Sequence, residues 1–549
     1  MQEASRQIAV IVRLTRPRQD FFEALSWLKV PEGYEVEVVA IEDKGSVAAA
    51  YNAAMRQTHA KYKVYMDEEA RILEPDFFQK MLDVFAADEK IAVLGGSGTL
   101  EFLSDGLYQK AAKRVGRACL GRKLEQKDWE KAVGAYVEVT AVDEFFMATQ
   151  HDLDWREDLF AGECFYGTAQ CLEFSRRGYK CAVAAQEAPW AGYLREKHTF
   201  EKSSQRAFLR EYSRDILPLV SVLMPTYNRP GYFREALESV LAQTYQNWEL
   251  FVTDDSPGEE TKRVIEPYLA RDGRIIYEHH PEYTGPRAAM QNWDRAQSYN
   301  NPKAEYVNWL MDDDLFMPDK LARMVDVYLS EPGVTLVTSA RQIIDKDGKV
   351  PPKDEWPITP VFEETVRVSG REAGRNVLLH GGNNYIGEPT TVLIKKKCLR
   401  DNALGWSGRG GACQIGDWPT WLHLLTQGDM VYIAEPLSCF RWHDGNDQKN
   451  VLSKIAVSAG TYMEFFYAWE TRQFFDSRRE YLLALSAFFI LISESMKDFG
   501  EELVAWLAEH LDDNDLMREC FGTLCQMHAK ALQELLEGAE CLRDTSGEV

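Results

Sequence analysis

The sequence predicts an α/β protein: two tandem doubly wound, Rossmann-like domains followed by an α-helical C-terminal region. Three observations predict it. Short apolar runs that end in carboxylates alternate with amphipathic stretches, the order expected of strands and helices in a doubly wound sheet. The whole alternation occurs twice, at long period. From about Asn446 onward, apolar residues recur at three- and four-residue steps instead. Domains are accordingly expected at 1–215, 216–445 and 446–549.

The first domain opens on an apolar run at 8–12 that passes into Arg13, Leu14, Thr15 and Arg16. A second run over 36–43 ends in Glu42 and Asp43, and a third over 62–69 ends in Asp67, Glu68 and Glu69. The second domain repeats the plan. Its first strand, at 219–226, runs into a polar turn of Tyr227, Asn228, Arg229 and Pro230, and an amphipathic helix is expected over 233–244. A strand at 248–254 is capped by Asp254 and Asp255. The apolar run at 306–311 ends in Asp312, Asp313 and Asp314, after which Pro318 stops the sheet and helps start a helix. Pro318-Asp319 and the segment 324–328 match Pro75-Asp76 and 81–85 with identical internal spacing, and Gly416-Asp417 echoes Gly162-Glu163.

Residues 381–391 are rich in Gly and Asn and read as an acceptor-facing loop that enters a strand at 391–394. Helices are expected at 456–475, 478–496, 501–511 and 516–536. The longest apolar run, 481–492, is too short to span a bilayer comfortably and reads as a buried helix.

Three adjacent carboxylates repel one another, so a fold keeps them together mainly when a cation or a substrate lies between them. Oxygen ligands with open positions suit Mg²⁺ or Mn²⁺ bound together with a phosphate. A solvated acidic turn is the alternative for a bare Asp triplet, and context decides between them. Here Pro225, Thr226, Tyr227, Asn228, Arg229, the pair Asp254-Asp255, Asn292 and the segment 313–318 stand in the order and at the spacings of the family 2 glycosyltransferases of the GT-A fold. The region 218–330 resembles that family.

The resemblance implies a nucleotide-activated sugar as donor, a UDP-sugar as first choice, and Mn²⁺ or Mg²⁺ as cofactor. It implies that Pro225 to Arg229 line the nucleotide pocket and that Asp254 accepts hydrogen bonds from the base, with Asp255 nearby. Arg287 and Asn292 would approach the diphosphate, Asp313 would hold the ribose, and Asp314 would bind the metal, with Asp312 reaching it directly or through water. Asp417 matches the family's base at a helix start, although in isolation it reads as a helix cap. His443 matches a position beside the metal and diphosphate, whereas a lone His is usually a surface or core residue.

The first domain is similar to the StrF-type glycosyltransferase-like domain over 46–55, 61–65, 145–150 and 155–160, which makes both domains GT-A-like. It departs from the family 2 pattern, because Arg13-Leu14-Thr15-Arg16 stands where Pro-Thr-Tyr-Asn should be and Glu replaces Asp at two acidic stations. Glu is one methylene longer, which shifts a rigid metal geometry by about an ångström. A structural or acceptor-binding role is therefore expected, with Glu42, Asp43, Asp67, Glu68, Glu69 and Glu163 forming a second donor site should both domains be active.

With 549 residues there is ample chain for two or three cores. A net charge of −23 argues against nucleic acid and disfavours anionic lipid. Ten scattered cysteines without CxxC pairs, no leader-like start and no spanning run lead us to expect a cytoplasmic protein, or one peripheral at the inner face of a membrane. The expected function is a metal-dependent, inverting transfer of a sugar to a hydroxyl of a glycan, protein or small-molecule acceptor. The rival is a non-catalytic sugar-nucleotide or glycan-binding scaffold. The C-terminal helices carry large apolar surface for the core or for a homo-oligomer contact.

Overall fold

The computed structural model describes residues 6–16, 18–42, 45–195, 201–282, 288–352, 361–399, 413, 416–443, 451–498, 504 and 515–545. Two compact units divide the chain, 1–217 and 218–549.

In the second unit, Val220, Val222, Leu223 and Met224 are all buried, as a strand covered on both faces requires. That strand, Leu219–Thr226, lies between Trp248–Asp254 and Ala304–Trp309, parallel to both. Ile275–His279 extends the parallel set on one side. On the other side Leu393–Lys395 pairs antiparallel with Ala304–Trp309, and Val334–Ile344, Asp429–Arg441 and Leu315–Phe316 complete the sheet path. The helix expected over 233–244 runs instead from Pro230 to Leu241, because Pro230 supplies a preset first-turn φ and needs no N–H partner there. The register sets Thr226 beside Asp254, so the polar turn and the Asp pair emerge at the same sheet end, where doubly wound folds bind ligands.

The first unit holds a seven-stranded sheet whose strands Glu35–Glu42, Gln7–Leu14 and Tyr62–Asp67 are adjacent and parallel. Arg13 pairs with Asp67 and Leu14 with Glu42, so this unit too brings its acidic stations to one end. A smaller sheet includes Lys113–Leu120, Ala191–Tyr193 and Ala70–Ile72. Asp43 lies outside the described residues.

Three long helices follow in the second unit, Val451–Thr471, Arg478–Asp498 and Asp515–Thr545. Their aromatic residues Phe465, Tyr481 and Phe488, with Phe474 from the connection between the first two, share one core cluster with Trp418 and Trp421. The helix expected at 501–511 lies outside the described residues apart from Val504. Among the described residues no helix is long and apolar enough to cross a membrane. The run at 481–492 is one-sided instead: Tyr481, Leu485 and Phe488 are buried while Leu483, Ile490 and Leu491 are exposed.

Helix Gly370–Leu379 joins this packing through Gly374, where an added Cβ would collide with the buried ring of Phe474. Alanine improves helix propensity by about 1 kcal/mol, but overpacking a filled core costs about 1–3 kcal/mol and the ring has no room to withdraw. Gly374→Ala is therefore expected to lower the melting temperature by roughly 1–3 °C in a thermal scan. An unchanged or raised value would mean that the helices do not pack here as described.

Candidate active site

The polar turn after strand Leu219–Thr226 is shaped by Asn228, which adopts φ +54° and donates its N–H to Ser256 Oγ at 2.7 Å. Asn tolerates this left-handed conformation better than most residues. The turn folds over the Asp triplet. Asp312 accepts from Thr226 Oγ1 at 2.9 Å and Tyr227 N at 3.3 Å through one oxygen, and from Arg229 at 3.2 Å through the other. Pro225 to Arg229 and the triplet are thus one constellation, although they are more than eighty residues apart in sequence.

Asp313 and Asp314 face different surroundings. One oxygen of Asp313 receives Arg229 at 2.8 Å and approaches His443 Nε2 at 2.9 Å. Asp314 is turned inward and buried. Its oxygens accept from Thr390 Oγ1 at 2.7 Å and from the Arg441 backbone N–H at 3.0 Å. Burial and the neighbouring Asp313 raise the Asp312 carboxyl to about 6, with Arg229 opposing, and push Asp314 upward for the same two reasons. The sequence reading gives the metal to Asp314 and the ribose to Asp313. The geometry instead puts Asp313 beside His443 and leaves Asp314 tied into the protein.

The other predicted residues are also placed. Asp254 is fully buried and accepts from Ser256 N and from Tyr277 Oη, each at 2.8 Å, so both its oxygens are engaged. Asp255 pairs with Arg295 through one oxygen, while its other oxygen is buried with no hydrogen-bond partner among the described residues. Asn292 donates to the Thr226 carbonyl at 2.9 Å and keeps a similarly unpartnered buried Oδ1. Arg287 lies outside the described residues.

Asp417 begins helix Asp417–Leu425, and its carboxylate accepts from Asn384 Nδ2 at 2.9 Å. Burial first, and then the charge of Glu388, raise it to about 6. Asn384 belongs to the Gly/Asn loop, which runs from Asp417 to the triplet. At one end Asn384 holds Asp417, in the middle the Gly387 carbonyl accepts from Trp421 Nε1 at 2.9 Å, and at the other end Thr390 holds Asp314. Gly387 sits at φ +116°, and a Cβ there would press on Thr391 at 3.0 Å, so the loop requires glycine at this point. Glu388 raises both Asp314 and Asp417, placing all three carboxylates within one electrostatic neighbourhood.

Two residues organise the site without having been singled out for it. Arg441 is fully buried beneath the triplet, donating Nε to the Asp313 carbonyl at 2.8 Å and pairing with Glu235 at 2.6 Å. In sequence it is an Arg before Trp442, with nothing that marks it as buried. Lys320, also fully buried, donates Nζ to the Thr391 carbonyl at 2.8 Å and anchors the far end of the loop. Nothing in its helical sequence context marks it.

The first unit repeats the hydrogen-bond plan with one residue missing. Glu68 accepts from Thr15 N at 2.9 Å and Thr15 Oγ1 at 2.5 Å, as Asp312 does from the polar turn. Glu69 accepts from Arg18 at 2.8 Å, as Asp313 does from Arg229. The next residue is Ala70, so the third carboxylate of the triplet has no counterpart. Asp67, which the sequence reading aligns with the triplet, is set one position earlier and is raised by burial. Glu163, the echo of Asp417, is clamped between Arg13 and Arg195 and is held below its ordinary range by those guanidiniums, despite its partial burial. Glu42 closes its strand opposite Leu14.

A mixed sheet whose parallel strands end at a polar turn and buried carboxylates, with a separate raised carboxylate across one loop, is arranged as doubly wound folds arrange a ligand site. Residues 221–390 match the model of glycosyl transferase family 2, and residues 9–212 that of a glycosyltransferase-like family. The chain thus carries two glycosyltransferase-type α/β domains in tandem, the second of them matching family 2.

Among similar proteins, CgeD of Bacillus subtilis is 34% identical over 23% of this chain and 30% of its own length. An uncharacterized glycosyltransferase of Rickettsia typhi is 28% identical over 43% of this chain and 68% of its own. The putative teichuronic acid biosynthesis glycosyltransferase TuaG of Bacillus subtilis is 24% identical over 39% of this chain and 75% of its own. The chain thus spans less than a third of CgeD and about two thirds of the Rickettsia protein.

Proposed function

We propose that the second unit transfers a sugar, with inversion, from a nucleoside-diphosphate donor to an acceptor hydroxyl. The observation that carries this reading is the loop whose Asn384 bonds the raised Asp417 carboxylate and whose Thr390 bonds Asp314 of the triplet, which supports one site made from both. In a single displacement the acceptor oxygen attacks the anomeric carbon, its proton passes to Asp417, and the bond to the diphosphate breaks. A carboxylate raised to about 6 is still ionised at neutral pH and is a stronger base than an ordinary one.

The nucleotide is assigned to the polar turn and to the acceptor atoms of Asp255 and Asn292, which lack partners and could receive the base's N–H groups. Asp254 is less suited to that task, since both its oxygens are already satisfied.

Among the described residues no three His, Cys, Asp or Glu side chains gather as a closed metal site. Asp313 with His443 nevertheless fits a divalent cation whose remaining ligands are water and phosphate, the way Mg²⁺ is usually held. In that role Asp313 and His443 would hold the ion in place of the pair Asp314 and Asp312. A bound Mn²⁺ or Mg²⁺ would supply positive charge for the departing diphosphate. Arg229, already on Asp313, adds a guanidinium to the same place. The name of TuaG supports a cell-surface glycan as acceptor. In the first unit the clamping of Glu163 by two arginines speaks against a second transferase site of this kind.

Incubating the full chain with UDP-, GDP- and dTDP-sugars and Mn²⁺ tests the proposal. One donor is expected to be turned over and to raise the melting temperature, with turnover lost in EDTA. The acid limb of kcat/KM is expected to fall below an apparent pKa of about 6, because Asp417 must be ionised to accept the proton. A protein that neither binds nor hydrolyses any donor would favour the scaffold reading.

A further inference from the structure

We infer that the first unit binds a phosphorylated ligand through arginine side chains alone, without a divalent cation. A cleft of about 440 Å³ opens at the carboxyl end of its sheet, lined by Arg16, Glu69, Arg122, Leu194 and Arg195. Three guanidiniums around one cleft repel one another as the three carboxylates of the second unit do. Among the described residues their ion pairs are few. Arg16 is two-thirds exposed with its nearest carboxylate, Glu69, at 3.7 Å, and Arg195 meets Glu163 at 3.3 Å through one nitrogen. Arg122 is exposed in the turn after strand Lys113–Leu120. That turn is not loose, since the Gly121 N–H donates to the Tyr193 carbonyl at 2.9 Å, which holds Arg122 beside the chain that continues into Leu194 and Arg195.

The carboxylates nearby are already taken. Glu68 accepts from Thr15, Arg18 holds Glu69, Arg13 holds Glu163, and Asp67 is buried, which raises its carboxyl. Ala70 stands where a third carboxylate would complete a cation site. The positive charge that a diphosphate draws from a metal in the second unit is provided here by fixed guanidiniums, whose planar forks match phosphate oxygens two at a time. In a chain of net charge −23, such a cluster is the local exception that a general count conceals. The ligand class is a phosphoryl or diphosphate group, carried by a nucleotide or by a phosphate-bearing glycan.

The test is calorimetric titration of the full chain with pyrophosphate in EDTA. Binding is expected without metal, weakened at least tenfold in Arg122→Glu and abolished in Arg122→Glu/Arg195→Ala, and unchanged in Asp313→Ala. Arg122→Glu alters an exposed turn residue, so its result stands even if the Arg195 change disturbs the fold, which a melting curve would report. Competition by UDP or GDP more tightly than by pyrophosphate supports a nucleotide as the source, and tighter competition by a sugar 1-phosphate or a glycerol-phosphate oligomer supports a phosphorylated glycan. No binding in EDTA overturns the inference. So does binding that survives both arginine changes, or binding that disappears with Asp313→Ala.

Discussion

Asp417→Asn is expected to lower kcat by about 10³-fold while donor affinity stays within a factor of two or so, because the change removes proton acceptance and little else. The amide can still accept from Asn384 Nδ2, so the loop has no reason to move. The same variant carries a second signature that a purely structural role would not produce. Asp417 is raised to about 6 in the folded chain by burial and by Glu388, so ionising it above that pH costs stability. Removing the charge should therefore raise the melting temperature at pH 8 by roughly 1–3 °C and change nothing below about pH 4, where the carboxylate is protonated in folded and unfolded chains alike. Kinetics and melting curves at the two pH values check both parts. Retained kcat, or lost donor binding, would remove Asp417 from the role of base.

Asp313→Ala is expected to lower kcat/KM by about 10³-fold and to abolish the extra stabilisation that Mn²⁺ and donor confer together. It deletes the carboxylate shared by His443 and Arg229. Asp314→Asn provides the contrast, because the buried Asp314 serves Thr390 and the Arg441 backbone. That change should act mainly on stability and on the placement of the loop, with Mn²⁺-dependent donor binding preserved. The reverse outcome, with cation dependence lost in Asp314→Asn and kept in Asp313→Ala, would return the metal to Asp314.

Much of this site is legible in the order of residues. Strand ends and the turn after each are local matters, set by apolar runs meeting Asp, Asn or Pro, and Thr226, Asp254 and Asp312 come together because parallel neighbours in a sheet end side by side. The internal duplication is equally plain, down to the Pro-Asp pair that follows each acidic strand. What stays hidden is which partner each polar group finds. Nothing in the order of residues shows that Asp254 accepts from Tyr277, or that Glu163 pairs with both Arg13 and Arg195. Arg441 and Lys320 are ordinary surface-type residues by composition, yet both are fully buried.

The amino-acid order by itself determined the α/β plan, its repetition, the acidic strand ends and the identity of Asp417 as the carboxylate at a helix start. The tertiary structure alone decided which partners each carboxylate of the triplet, and each acidic residue of the first unit, meets. Consecutive residues at a strand end point in different directions, so Asp312, Asp313 and Asp314 meet different neighbours, contributed by segments up to about 130 residues away. Those neighbours, and not the carboxylates' own spacing, settle which negative charge is already neutralised and which is left to meet a ligand.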